Sequence, residues 1–177
     1  MVFQQIRDLV KKKNNVEEFF DSIYNKNAGT TMQKIRLSVE KSESFEEFKT
    51  DIMNSFTLSP SYMIIAGTQK NEGCVIEKNS GITVNEITHL DDDRSVWYIV
   101  QTNNDRDLEN YETNDPRRFG GEQLMNSLGQ SVGLYDVFNG VLTKYPDFSV
   151  KSDMRTSSTS LADANADIFE IVCWIDK

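Results

Sequence analysis

Histidine is almost missing from this chain: His89 is the single one among 177 residues. A Ser-His-Asp or Cys-His device has only that residue to form around. Its place at a strand end, beside an acidic turn, reads as an exposed turn histidine rather than a catalytic base. Cysteine is nearly as scarce. Two thiols, Cys74 and Cys173, make neither a disulfide framework nor a zinc site, and with Val, Ile or Trp beside them both are expected to be buried in apolar strands. No His/Cys/Asp/Glu spacing marks a metal site. Asp91-Asp92-Asp93 lacks the Gly and Glu of an EF-hand, and Gly67 and Gly120-Gly121 stand outside any phosphate loop, so no metal and no cofactor are expected. No Asn lies in an Asn-x-Ser/Thr sequon.

Basic charge is in deficit. Nineteen Lys and Arg face 28 Asp and Glu, a net charge of −9 with a pI near 4.7, which argues against a nucleic-acid partner. The one basic run, Lys11 to Lys13, reads as a solvated helix end rather than a membrane contact. No apolar run reaches the roughly 20 residues of a membrane span, so no stable insertion is expected. Met1 to Asn15 carries charges where a secretory leader needs its apolar core, so no signal peptide is read in the chain as given.

What is there is ordinary globular composition, 38% hydrophobic and 27% charged, enough for one domain. Val2 to Val10 and Val16 to Ile23 carry apolar residues at helical spacing. A helix from about Thr31 has Met32, Ile35 and Val39 on one face. The next opens on a capping box, Ser44 with Glu47, and buries Phe45, Phe48, Ile52, Met53 and Phe56. Beyond Pro60, β-branched runs bounded by turns predict strands over Tyr62 to Ala66, Gly73 to Glu77, Ile82 to Ile87 and Ser95 to Gln101, as an antiparallel meander. A polar loop, Asn103 to Arg118, leads to helices near Glu122 to Leu128 and Leu134 to Thr143. Strands near Asp153 to Ser160 and Asp167 to Trp174 end the chain. The prediction is an α+β fold in one domain, incomplete as it stands, with residues 1–57 helical and 58–177 sheet-rich.

The segment Gln101-Thr102-Asn103-Asn104-Asp105-Arg106, followed by Asn114-Asp115-Pro116-Arg117-Arg118, has two readings. A strand ending in side-chain amides, followed by paired arginines, suits an oxyanion or carboxylate site. It equally suits a solvated loop with Asx turns and surface ion pairs.

Five blocks stand in one register. They are Leu58-Ser59-Pro60-Ser61-Tyr62 running into Ile64-Ile65-Ala66-Gly67; Glu72-Gly73-Cys74-Val75-Ile76; Trp97-Tyr98-Ile99-Val100-Gln101-Thr102-Asn103 with Asp105-Arg106; Asp115-Pro116-Arg117-Arg118; and Leu134-Tyr135-Asp136-Val137. In order and spacing they resemble the acid ceramidase and N-acylethanolamine-hydrolysing acid amidase family, from about Ser44 to Asp147. The resemblance implies an N-terminal-nucleophile hydrolase with a four-layer αββα sandwich, acting in the lysosome on the amide bond of ceramide or related N-acyl lipids. Its nucleophile is a Cys freed as a new N-terminus, whose α-amine, with an ordinary pKa near 8, serves as general base. By the same resemblance Asn103 is the oxyanion-donating asparagine and Arg117 the site arginine. A loop one residue longer than the family's leaves Arg118 as the alternative. Leu124 falls where the family has a cysteine joining its subunits.

The resemblance also implies that the nucleophile lies upstream of these residues, since Cys74 and Cys173 have no free α-amine. The expectation is the C-terminal part of a lipid amidase, inactive by itself, with an acyl-amide lipid and the missing N-terminal segment or subunit as partners. The alternative is a truncated, non-catalytic paralogue that binds acyl lipid or a sister subunit.

Overall fold

In the computed structural model of the chain, the described residues are 2–6, 24, 29–90, 96–144 and 158–173. They divide into two compact units: Met1–Ile99 with Asn103–Asp105, and Val100–Thr102 with Arg106–Lys177.

The first unit is built on a four-stranded sheet of order β1-β2-β3-β4, formed by β1 (Val2–Ile6), β2 (Ser61–Ala66), β3 (Gly73–Lys78) and β4 (Val84–His89). Every pairing is antiparallel. The meander β2-β3-β4 follows from the short turns between β-branched runs. Two details correct the sequence reading. Of the helix expected over Val2 to Val10, residues 7–10 lie outside the described residues, and Val2 to Ile6 forms a strand on β2, where the β2 edge outweighs the helical spacing. The segment 96–101, expected as a strand, is paired with no strand among the described residues.

Two helices cover one face of this sheet. The first, α1 (Thr31–Lys41), starts with a complete capping box in which Thr30 and Gln33 satisfy each other's backbone N–H. It buries Thr31, Ile35 and Ser38, while Met32 and Val39 face solvent, so the expected stripe is rotated onto smaller residues. The second, α2 (Phe45–Asn54), is capped as its sequence predicts: the Ser44 hydroxyl accepts from Glu47 N at 3.2 Å. The returning carboxylate bond goes to Glu43 N, one residue earlier than an ideal box. Phe48 and Ile52 then join Ile35, Met63, Ile65, Cys74 and Ile76 in the core. Asp51 ties the helices together, accepting from the Ser38 hydroxyl and from Lys41 Nζ at 2.5 Å.

The connections are specified too. Gly81 turns β3 into β4 at φ +86°, a region that glycine enters without steric cost. Thr57, wholly buried, exchanges backbone bonds with Gly81 in both directions, and the next residue, Leu58, donates to Gly29 O. Lys78 is also wholly buried, and its Nζ donates to Met53 O at 2.8 Å. That carbonyl is one of the orphan acceptors in the last turn of α2.

The segment Asn103 to Arg118, which enters the second unit at Arg106, is less of a loop than expected. It contains α3 (Tyr111–Asn114) and the start of α4 (Pro116–Leu128), which begins a turn and a half before Glu122. The next helix, α5 (Leu134–Val137), widens into a π-helical turn over Phe138–Leu142. The hairpin β5 (Ser158–Asp163) and β6 (Ile168–Cys173) closes the described chain. Leu161 is buried, whereas Phe169 and Ile171 are exposed. Cys173 is exposed as well, against expectation, because it shares the outward face of β6 with those two residues. Val16 to Ile23, Lys11 to Lys13 and Asp91 to Asp93 lie outside the described residues. With antiparallel sheets and helices together, the fold is α+β, as predicted.

Candidate functional site

The sheet face opposite the helices carries Tyr62, Ile64, Val75 and Glu77, by strict alternation along β2 and β3. Tyr62 is buried at 1% exposure. Its phenol donates to Asp105 Oδ1 at 2.5 Å and lies 3.2 Å from Asn103 O. The one hydroxyl proton goes mainly to the carboxylate, where a charge-assisted bond is strongest. Asn103 thus lies beside the Tyr62 phenol in the first unit and is partly buried.

Arg117 belongs to the second unit, in the first turn of α4, and is also partly buried. Asn103 and Arg117 thus fall in different units. Beside Arg117 a tight cluster forms within the second unit. Asp115 caps α4, with Pro116 at the first helical position. Its Oδ1 accepts from Arg118 N at 3.3 Å, and its Oδ2 accepts from the Thr102 hydroxyl and lies 3.9 Å from Arg118 Nε. Asp115 is 1% exposed, Arg118 2% and Thr102 4%. The Arg118 guanidinium also lies over the Tyr111 ring, 4.6 Å from its centroid. Tyr111 in turn donates to Glu122 at 3.0 Å, and that bond to a carboxylate pushes the phenol pKa up. Upstream, Arg106 Nη1 donates to Val100 O at 2.9 Å, holding the chain just before Gln101.

The two arginines left open by the sequence are therefore differently employed. Arg118 is buried and engaged with Asp115 and Tyr111, while Arg117 keeps part of its surface accessible. Asp115, Thr102 and Tyr62 were not singled out beforehand. The Asp-Pro pair at a helix start was the available signal for Asp115; nothing local marks Tyr62 or Thr102.

Cys74 and His89 are Cα partners on adjacent strands, the one place where a thiol and an imidazole come together among the described residues. The thiol is 1% exposed, and burial pushes its pKa up to about 11, so at neutral or acid pH it carries no thiolate to attack with. Among the described residues no three His, Cys, Asp or Glu side chains gather as a metal site, and no helix is long and apolar enough to cross a membrane.

No protein-family model matches the chain. Acid ceramidase from Macaca fascicularis is 33% identical over 135 residues, covering 76% of this chain and 33% of the relative. The Homo sapiens acid ceramidase is 31% identical over the same length and coverage, and that of Balaenoptera acutorostrata scammoni is 37% identical over 109 residues, 59% of this chain and 27% of the relative. The chain thus spans about a third of the curated relatives it matches. Among solved structures, the Caenorhabditis elegans N-acylethanolamine-hydrolysing acid amidase orthologue superposes with a TM-score of 0.63 at 26% identity, over 82% of this chain and 59% of that one.

Proposed function

Since the chain belongs to the acid ceramidase and N-acylethanolamine-hydrolysing acid amidase family of N-terminal-nucleophile hydrolases, we propose that it is the C-terminal part of a lipid amidase. The substrate class is an N-acyl lipid amide such as ceramide or an N-acylethanolamine, and the place of action is the lysosome. The observation that carries this reading is the 33% identity to acid ceramidase over 135 residues.

In this reading a cysteine thiolate from sequence outside these 177 residues attacks the substrate carbonyl, and the C=O electron pair moves onto oxygen. The Asn103 side-chain amide donates to that oxyanion. Arg117 contributes positive charge near the thiolate and aligns its carboxylate partner. Collapse of the tetrahedral intermediate breaks the C–N bond, the leaving amine takes a proton, and water then releases the fatty acid from the thioester. The assignment of the nucleophile to another segment is supported by the two thiols present: Cys74 is buried with a raised pKa, and Cys173 lies within a strand.

The test is a single-turnover assay on an N-acyl amide, with the chain supplied together with the upstream segment of its family. Asn103→Ala is expected to lower the rate by about 10²- to 10³-fold, the usual effect of losing one oxyanion donor. Arg117→Ala is expected to slow it as well. Unchanged rates in both variants would sink the assigned roles. Acyl-chain binding without any turnover would place the chain among non-catalytic paralogues instead.

A further inference from the structure

A bend outside any helix or ladder has no repeating backbone bonds to set where its side chains point. Residues 103–105 form such a bend among the described residues, and what meets them is a post in the sheet of their own unit. Tyr62 sits on β2 with Gln5 opposite it on β1 and Glu77 opposite it on β3, and it is 1% exposed. A strand held on both sides, and a ring without room to swing, make the phenol oxygen a fixed point.

That one oxygen reaches both ends of the bend. It donates to Asp105 Oδ1 at 2.5 Å and lies 3.2 Å from Asn103 O. Groups two residues apart meet at one atom, so the bend is closed against the sheet. Holding the Asn103 carbonyl there limits rotation about its Cα–C bond, the rotation that swings its side chain. The bond to the carboxylate is the stronger of the two and anchors the pair. Further interactions also reach Tyr62, Asn103, Asn104 and Asp105, so this latch is one restraint among several.

We propose that Tyr62 is a positioning residue for Asn103, latching the 103–105 bend onto β2 through the Asp105 carboxylate and the Asn103 carbonyl. Its purpose rests on the amidase reading above, in which the Asn103 amide donates to the oxyanion. Such a donor works only if it is aimed before the charge develops, and a misplacement of about 1 Å costs on the order of a hundredfold in rate. Loosening one restraint of several costs less than that.

Tyr62→Phe removes the oxygen and keeps the ring. Asp105→Asn keeps an acceptor for the phenol, and Asp105→Ala removes it. Ser44→Ala is the control for lost stability, since it unties the cap of α2 on the other face of the sheet. On the 177-residue chain, ¹⁵N relaxation reads the effect directly. In Tyr62→Phe the Asn103 and Asn104 N–H order parameters are expected to fall from the ~0.85 of rigid backbone toward ~0.6, with Met63 and Ile76 in the sheet unchanged. Asp105→Ala should do the same, Asp105→Asn less, and Ser44→Ala should leave the bend as it is. In the complete amidase, Tyr62→Phe should lower kcat per active site about threefold to tenfold at unchanged KM, and Ser44→Ala should not.

An Asn103 order parameter unmoved by Tyr62→Phe, or lowered equally at Met63 and Ile76 or in Ser44→Ala, overturns the proposal. If Asp105→Ala does not fold, Tyr62→Phe decides alone. Hydrolysis in the wild type with kcat unchanged in Tyr62→Phe rejects the latch and keeps the amidase. Failure of the amidase reading looks different: the wild type, supplied with its upstream segment, would show no amide hydrolysis while the relaxation pattern holds, and the purpose of the latch would fall with that reading.

Discussion

Replacing Lys78 by methionine trades a buried charge for a thioether of similar volume, and its effect on stability is expected to change sign with pH. Burial pushes the Lys78 amine from 10.5 down to about 8. At about 1.4 kcal/mol per tenfold change in acidity, holding this lysine protonated in the folded state costs on the order of 3 kcal/mol. Unfolded chains keep the proton up to pH 10.5, whereas the folded chain releases it near pH 8. Between those values the unfolded state binds more protons, so the wild type gains stability as pH rises. The penalty is complete below pH 8 and absent above 10.5. Against it stands the bond to Met53 O, which methionine cannot make, and whose loss costs about 1 to 2 kcal/mol at any pH. Lys78→Met is therefore expected to be more stable than the wild type by about 1 to 2 kcal/mol at pH 7. At pH 10.5 it should be less stable by about the same amount. Urea unfolding followed by tryptophan fluorescence at both pH values, under reducing conditions, measures the difference. Contributions from other titrating groups are shared by the two proteins and cancel. A difference that does not vary with pH refutes the reasoning, and so does a methionine variant less stable by 3 kcal/mol at pH 7.

Cys74 acts in the opposite direction. Burial raises its pKa from 9.0 to about 11, so the stability it contributes is present below pH 9 and is lost as pH climbs toward 11, and Cys74→Ala should flatten that loss by roughly 2 to 3 kcal/mol. In the folded protein iodoacetamide should modify Cys173 and spare Cys74, whereas unfolded protein should take up label at both, as mass spectrometry will read. Ser44→Ala removes the side-chain cap of α2 and should lower stability by about 1 kcal/mol in urea unfolding. Tyr62→Phe removes the bond to the Asp105 carboxylate and should cost about 1 to 2 kcal/mol by the same assay.

The parts of the fold that read correctly from sequence are those where one local signal dominates. Ser44 and Glu47 announce a helix start, and the β-branched runs beyond Pro60 announce a meander. Residues 2–6 read as helix through the spacing over Val2 to Val10, and they form a strand because β2 offers an edge. In α1 the expected face was displaced because Thr31 and Ser38 are buried by packing and hydrogen bonding, which hydropathy does not anticipate. Lys78 is the clearest omission: a lysine at a strand end reads as solvated, and only the carbonyl end of α2 explains its burial. For the candidate site, the proposed roles of Asn103 and Arg117, with Arg118 as the alternative, come from the motif alone. Asp115, Thr102 and Tyr62 were not legible, because their importance lies in contacts made across thirteen residues and across more than forty.

The bonds around Thr57 also determine where the chain can change in length. The connection from α2 to β2 resembles a loop, yet its middle is pinned to Gly81 in both directions and to Gly29 through the neighbouring Leu58. An inserted residue there has no slack to enter; it must break one of these bridges or slide β2 by one position, which would turn Met63 and Ile65 out of the core and Tyr62 into it. The turn between β2 and β3 is differently made. Its bonds are local: Glu72 accepts from Thr68 N and Gln69 N, and backbone bonds run from Gly67 N to Glu72 O, Glu72 N to Gln69 O and Gly73 N to Asn71 O, so lengthening it disturbs only the turn itself. Length variation in related sequences is therefore expected more at 67–72 than at 55–60.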